Sequence, residues 1–218
     1  MFCRFKHLSR AVHEEQQHEH GERAYPRNKK EEMSSTSLTV WRKSLLMNCK
    51  GFTVIGSDGN LVYRVDNYVG RPQEVVLMDA SGNSVLTMLR RKKLGVVDSW
   101  VVYEGEVMKG KHGTRKNPIC CVRKHTNMLK LLGNPNPNVK AYVYNGGSDK
   151  RYAYAIEGSY AQRMCKVLDE TRRVVAEIKR KEALREHVSF GIEIFHLVVH
   201  PGFDPAFAMA LVLLLDQM

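Results

Sequence analysis

The chain lacks the short motifs that mark common enzyme classes. It contains no G-x-S-x-G, H-E-x-x-H, P-loop or G-x-G-x-x-G sequence, patterns that position a serine nucleophile, a zinc ion or a phosphate. It also has no D-x-D-x-D-G calcium loop. Cys120 and Cys121 stand close before His125, but cysteines within a buried strand explain them more simply than a nucleophile and its base. We therefore predict a non-enzymatic protein with no catalytic residue, no metal site and no cofactor.

Signals for secretion are also missing. The five cysteines are odd in number and none forms a C-x-x-C pair, which argues against a disulfide scaffold and against a zinc site. The first ten residues hold no apolar run, and no Asn-x-Ser/Thr acceptor occurs. We expect an intracellular protein that is not secreted, in the cytoplasm, with the plasma-membrane periphery and the nucleus as alternatives.

Long apolar runs are scarce, and the longest lies near the C-terminus at 206–215. Asp204 is a favourable N-cap and Pro205 suits the first helical position, so the run predicts a helix. Ten residues at ~1.5 Å rise reach about 15 Å, half of a ~30 Å hydrocarbon core. A helix without a polar face must be surrounded by apolar groups, and we expect protein to supply them. The predicted core residues of this helix are Phe207, Met209, Leu211, Val212 and Leu214.

Most of the remaining sequence is typical of short β-strands. Asp58-Gly59 lies between the β-rich runs 52–55 and 61–66, and 79–83 separates two more; both predict hairpins. A similar hairpin pattern, which again ends in a basic triplet, recurs about ninety residues later. Counting gives about a dozen strands, and a barrel of that width needs a filled lumen. We therefore predict a mainly β fold, a closed barrel of about twelve strands that encloses the C-terminal helix.

The chain divides into two parts by composition. Residues 1–37 are polar, rich in His, Glu and Gln and poor in aliphatic residues. Such a segment cannot bury enough apolar surface to fold. We predict a disordered arm over 1–37 and a single barrel domain over 38–218.

The positive charge is the main functional signal. The formal net charge is +11, and nearly all of the surplus follows residue 37. A basic surface favours polyanions such as lipid headgroups or nucleic acid, although charged strand ends also keep a barrel soluble. The clustered cations are our candidate anion-binding and lipid-binding residues: Arg42, Lys43, Arg90, Arg91, Lys92, Lys93, Lys179, Arg180 and Lys181.

Several stretches resemble the plant LURP-one-related family. The matching segments are 38–44, 51–54, 60–68, 76–83, 201–204, 209–211 and 215–218. The resemblance covers roughly 36–218. It implies a tubby C-terminal-like fold, in which a twelve-stranded closed barrel surrounds a hydrophobic C-terminal helix. It also implies a relation to phospholipid scramblases and to tubby-like membrane-tethered transcription factors, and a link to plant defence. The family defines no enzymatic residues.

A further likeness concerns phosphoinositide binding. Tubby proteins bind this headgroup through a Lys-x-Arg pair just before a Leu-Met and Phe-Thr-Val stretch, which Leu46-Met47 and 52–54 resemble. Lys43 stands at the arginine position, and Trp41 replaces the lysine. The resemblance thus implies that only one of the two basic residues of the pair is retained, at Lys43.

These observations favour a monomeric binding or regulatory module that docks on anionic phospholipid headgroups. The alternatives are a protein-interaction adaptor, an adaptor linked to nucleic acid, and a lipid scramblase. We rank nucleic acid lower because the aromatic residues lie mostly within strand runs. We rank scrambling last because the C-terminal helix is too short to span a bilayer.

Overall fold

The structure is a computed structural model of the chain. It describes seven segments of the sequence: residues 34–66, 73–91, 99–107, 117–125, 138–146, 151–181 and 191–218.

The described residues form twelve strands and one helix, joined in a simple up-and-down order. Each strand pairs antiparallel with the next in sequence, and β12 pairs with β1, so the sheet closes. The predicted mainly β fold with a closed twelve-stranded barrel is confirmed. The elements are β1 (Thr36–Trp41), β2 (Phe52–Ile55), β3 (Leu61–Val65), β4 (Glu74–Asp79), β5 (Ser84–Arg91), β6 (Ser99–Glu104), β7 (Cys120–Lys124), β8 (Val139–Asn145), β9 (Tyr154–Ser159), β10 (Met164–Asp169), β11 (Val174–Arg180), β12 (Ile194–Val199) and α1 (Pro205–Asp216).

The first strand begins at Thr36, so the predicted boundary between residues 37 and 38 falls within β1. Thr36 and Ser37 pair with Val199 and Val198 of β12. The backbone of a strand is stabilised by its ladder whatever the polarity of the side chains. Residues 1–33 of the predicted arm lie outside the described residues.

Two hairpins show how a local sequence signal becomes a turn. In β4–β5, the Asp79 side chain accepts a hydrogen bond from the backbone N–H of Asn83 at 2.9 Å, and Gly82 takes a positive φ of 90°. In β10–β11, Asp169 accepts from the N–H of Arg173 at 3.0 Å, and Arg172 takes a φ of 68°. Each hairpin also has a register shift just before its aspartate. The hairpin pattern that recurs in the sequence therefore corresponds to two hairpins of similar geometry, six strands apart in the ring.

The helix α1 fills the lumen of the barrel. The Asp204 carboxylate accepts from the Phe207 N–H at 2.6 Å, and Pro205 begins the helix, as the sequence predicts. Nine of its twelve residues are buried, and they pack with the inward-facing strand residues into one core. Among the five core residues named from the sequence, Met209, Leu211, Val212 and Leu214 are buried, and Phe207 is half-buried.

Within the described ranges, no helix is both long enough and apolar enough to cross a bilayer.

Candidate functional site: a basic rim at one end of the barrel

The up-and-down order sends alternate strands to opposite ends of the barrel. All odd-numbered strands therefore end at one rim, and all even-numbered strands end at the other. After β12, α1 runs back through the lumen and ends at the first rim, where Arg42 donates to the Asp216 carboxylate at 3.2 Å. The position of any charge at a strand end is thus fixed by the number of its strand.

The predicted anion-binding residues that the structure describes meet at one rim. They follow or end β1, β5 and β11, which all finish on the same side, and the end of β7 adds two more cations there. Lys92 and Lys93 lie outside the described residues. We call this end the basic rim and define it by the cations Arg42, Lys43, Arg90, Arg91, Arg123, Lys124, Lys179, Arg180 and Lys181.

The opposite end, the acidic rim, carries carboxylates in its hairpin turns. Asp58, Asp79 and Asp169 lie there, each hydrogen-bonded within its own turn. Their pKa values lie below the usual range, chiefly because side chains of Asn60, Asn83 and Thr171 donate to the carboxylates. These groups are therefore charged at neutral pH. Two arginines at this end, Arg172 and Arg173, pair with Glu157 and Asp169. Among the residues that the structure describes, cations therefore gather at the basic rim, and aspartates occupy the hairpin turns at the other end.

Some rim cations are held by acidic side chains of the protein. Arg42 lies 3.1 Å from Asp216 and 3.7 Å from Glu193, so it ties the end of α1 to the end of β1. Lys179 lies 3.2 Å from Glu177. Partial burial acts to raise the pKa of Glu177, but hydrogen bonds from Lys179 and His200 outweigh it, and the pKa is lowered. Arg42 and Lys179 are consequently less available to an external anion.

Other rim cations point into solvent. Lys43 is exposed and lies 5.0 Å from the centre of the Trp41 ring, a cation–π distance. Arg91 and Arg180 are also exposed, on strands six apart in the ring. Arg90 is half-buried, with its guanidinium 6.0 Å from the Trp100 ring. Lys43, Arg91 and Arg180 are therefore the side chains best placed to meet a ligand.

Sequence reasoning missed Arg163, which is only 4% exposed. Its guanidinium lies 4.2 Å from the Tyr160 ring and 4.3 Å from the Phe195 ring, and it donates to the Ile192 carbonyl at 2.8 Å. Its backbone φ of 55° lies in the left-handed region. The side chain thus joins the turn before β10 to the turn before β12. An isolated arginine in a turn sequence gives no signal for this role, because its partners are distant in the chain.

We expect Arg163→Met to lower the free energy of unfolding by about 3 kcal/mol, through loss of two cation–π contacts and a charge-assisted hydrogen bond. Arg172→Met is the matched control, since Arg172 also has a positive φ but lies in an exposed ion pair with Glu157. Its effect should be much smaller. Urea unfolding followed by fluorescence measures both, and equal midpoints for the two variants would contradict the assigned role.

A groove of about 880 Å³ crosses the outer wall over β9 to β12. It is lined by side chains of both signs, among them Lys166, Glu177 and Lys179, and by His196. Partial burial and the charge of Lys181 lower the pKa of His196. The groove therefore carries charges of both signs, with cations and carboxylates side by side.

Two buried cysteines, Cys120 and Cys165, are poorly suited to act as nucleophiles. Cys120 begins β7 and His125 follows its last residue, which separates them by ~17 Å of extended chain. Burial raises the pKa of Cys120 to about 12 and that of Cys165 to about 11. Both thiols are protonated at neutral pH, and thiols are poor nucleophiles. Across the described segments, no three His, Cys, Asp or Glu side chains are grouped as ligands for a metal ion.

Comparison with known proteins identifies the family. The family model described as LURP-one-related matches residues 36–216. Protein LURP-one-related 17 of Arabidopsis thaliana is 52% identical over 84% of this chain and 83% of its own length. Protein LURP-one-related 8 of the same plant is 47% identical over 83% of this chain and 86% of its own. An X-ray structure of an Arabidopsis thaliana protein superposes with a TM-score of 0.57 at 26% identity, over 84% of this chain and 91% of that one. This chain therefore belongs to the LURP-one-related family.

Proposed function

We propose that the protein is a non-enzymatic binding module whose basic rim docks on an anionic membrane surface, including phosphoinositide headgroups. The observation that carries the proposal is that cation clusters far apart in sequence converge on one end of the barrel. The other end carries aspartates in its turns. A body with a cluster of cations at one end orients itself in the field of an anionic surface and approaches with that end first.

The expected strength of this docking is moderate. Each cation near an anionic leaflet contributes about 1 kcal/mol, so Lys43, Arg91 and Arg180 together supply about 3 kcal/mol. These charges are exposed and are screened over about 10 Å at 0.1 M salt. Binding should therefore weaken steeply with ionic strength.

Lys43 holds a special position in this proposal. It stands where the tubby-like pair has its arginine, and it lies over the Trp41 ring. The neighbouring Arg42 is engaged by Asp216. Only one of the two residues expected for headgroup recognition is thus present and available. This supports general attraction to anionic lipid more than selectivity for one phosphoinositide.

The other functions considered from the sequence rank lower on specific grounds. Lipid scrambling ranks last because α1 is enclosed by the protein's own sheet and packs into its core. Nucleic-acid recognition ranks below membrane docking because large aromatic side chains such as Trp100, Phe52 and Phe195 are buried and cannot stack on bases. A role in plant defence, as an adaptor that acts at a membrane surface, is compatible with docking on anionic lipid.

The proposal is tested by sedimentation with vesicles of phosphatidylcholine, with and without phosphatidylserine or phosphoinositide. We expect wild type to pellet only with anionic vesicles, and Lys43→Glu to bind more than fivefold more weakly. Arg151→Glu is the matched control, because exposed Arg151 lies just before β9 at the acidic rim. Equal pelleting of wild type and Lys43→Glu would end this proposal, and binding to DNA in preference to vesicles would favour the nucleic-acid alternative.

A further inference from the structure

We propose that an exposed apolar loop at the basic rim inserts into the interfacial layer of the bilayer on which that rim docks. The inference rests on the proposed function and adds to it the depth of contact. The loop follows β1, and its exposed residues Leu45, Leu46 and Met47 are here called the apolar tip. The predicted partner surface therefore offers both anionic headgroups and acyl chains.

The distribution of exposed apolar side chains supports this inference. Of the six large hydrophobic residues exposed within the described segments, five lie at the basic rim. They are the three residues of the apolar tip, Met164 at the start of β10 and Ile192 just before β12. The sixth, Ile119, precedes β7 at the acidic rim. Apolar side chains that cluster among cations mark a surface for an amphipathic partner.

The apolar tip is held in place by hydrogen bonds. Ser44 is buried, and its hydroxyl accepts from the Leu46 N–H at 3.0 Å. Thr53 donates to the Lys43 carbonyl at 2.7 Å, and the Cys49 N–H donates to the Leu46 carbonyl at 3.3 Å. Met47 is consequently displayed at the turn with 89% of its surface exposed. The polar groups of the loop are thus used in hydrogen bonds within the protein, whereas its apolar side chains are exposed to water.

A backbone contact joins this loop to the second exposed apolar site. The Arg42 N–H donates to the Glu193 carbonyl at 2.8 Å, which places the start of the loop beside the turn that contains Ile192. Lys43 lies over the half-buried ring of Trp41, and only Ser44 separates it along the chain from the apolar tip. A cation, an indole and aliphatic residues therefore lie close together along residues 41–47, a combination favoured at the membrane interface.

Docking by charge together with insertion of apolar side chains should respond to salt differently from docking by charge alone. Attraction between the rim cations and anionic headgroups falls as salt rises. Burial of Leu46 and Met47 removes apolar area from water, and this contribution does not fall with salt. We therefore expect binding to anionic vesicles to keep a fraction that resists high salt.

Trp41 provides a direct probe of insertion. It lies at the end of β1 beside Lys43, whereas Trp100 is only 1% exposed in the core. Vesicles of phosphatidylcholine and phosphatidylserine whose acyl chains carry bromine quench an indole only at short range. We expect quenching of wild-type fluorescence on docking. Leu46→Ser/Met47→Ser should bind about tenfold more weakly, lose the quenching and lose its salt-resistant fraction.

Two further variants serve as controls for this experiment. Ile119→Ser removes an apolar residue that is 42% exposed at the acidic rim, and it should bind like wild type. Met47→Ser alone removes the most exposed residue, and an unchanged thermal melt shows that folding is intact.

The outcomes separate this inference from the proposed function. If wild type pellets with anionic vesicles but shows no quenching, and the double variant binds equally well, insertion is overturned and electrostatic docking stands. If wild type fails to pellet with any anionic vesicle, the proposed function falls and this inference falls with it.

Discussion

We expect a chain that ends before Ala206 to fail to fold. The deletion removes nearly all of α1, whose residues fill the lumen from the acidic rim to the basic rim. Burial of its large apolar side chains contributes on the order of 10–20 kcal/mol as an upper bound. A typical domain is stable by only about 5–15 kcal/mol. Expression followed by far-ultraviolet circular dichroism should find an insoluble or unfolded product, and a soluble monomer with a cooperative melt would contradict this.

A single substitution in α1 should produce a smaller loss of stability of the same origin. Leu213 is fully buried in α1, so Leu213→Ala should cost about 2–5 kcal/mol of stability. Met47→Ala is the control, because that side chain lies in water, and its cost should stay within ~0.5 kcal/mol. Denaturant unfolding of both variants compares them under one set of conditions.

The second large effect concerns binding. The triple variant Lys43→Glu/Arg91→Glu/Arg180→Glu should lose more than a hundredfold in affinity for anionic vesicles, since three cations near the surface contribute about 3 kcal/mol. The three side chains are exposed and come from β5, β11 and the loop after β1. Vesicle sedimentation over a salt series measures the loss, and the salt dependence should flatten together with the affinity.

The control for this variant changes the same charge elsewhere. Arg151→Glu/Arg172→Glu/Arg173→Glu also lowers the net charge of +11 by six units, but all three residues lie at the acidic rim. We expect it to retain most of the binding. An equal loss in both triple variants would mean that net charge governs binding, and it would remove the role assigned to the rim.

Much of the fold follows from local signals. Asp204-Pro205 before an apolar run predicts the start of α1, and Asp58-Gly59 predicts a turn, because in each case the chemistry lies within a few residues. The closure of the sheet follows from a helix that needs apolar surroundings on every side. The extension of β1 to Thr36 was not predicted, since it depends on pairing with Val199 at the far end of the chain.

The convergence of these cations has a signal in the order of the strands. Lys43, Arg91 and Lys181 end or follow the first, fifth and eleventh strands, all odd in number. In a barrel of consecutive antiparallel strands, equal parity means the same rim. The pairing of Arg42 with Asp216 and the stacking of Arg163 had no such signal, because both depend on side chains brought together only by the closed barrel. The exposure of the apolar tip was equally hidden, since Leu and Met more often lie in a core.

The closure of the ring between β1 and β12 limits how this protein can recognise others. Every strand already has a hydrogen-bonded neighbour on each side, so an incoming peptide finds no ladder to extend. Among the described strands, the ring therefore leaves no edge strand for strand addition, by which many sheet proteins pair with a partner's backbone. We therefore expect recognition to depend on side chains and on the turns at the two rims. A few substitutions there can alter specificity while the barrel keeps its structure.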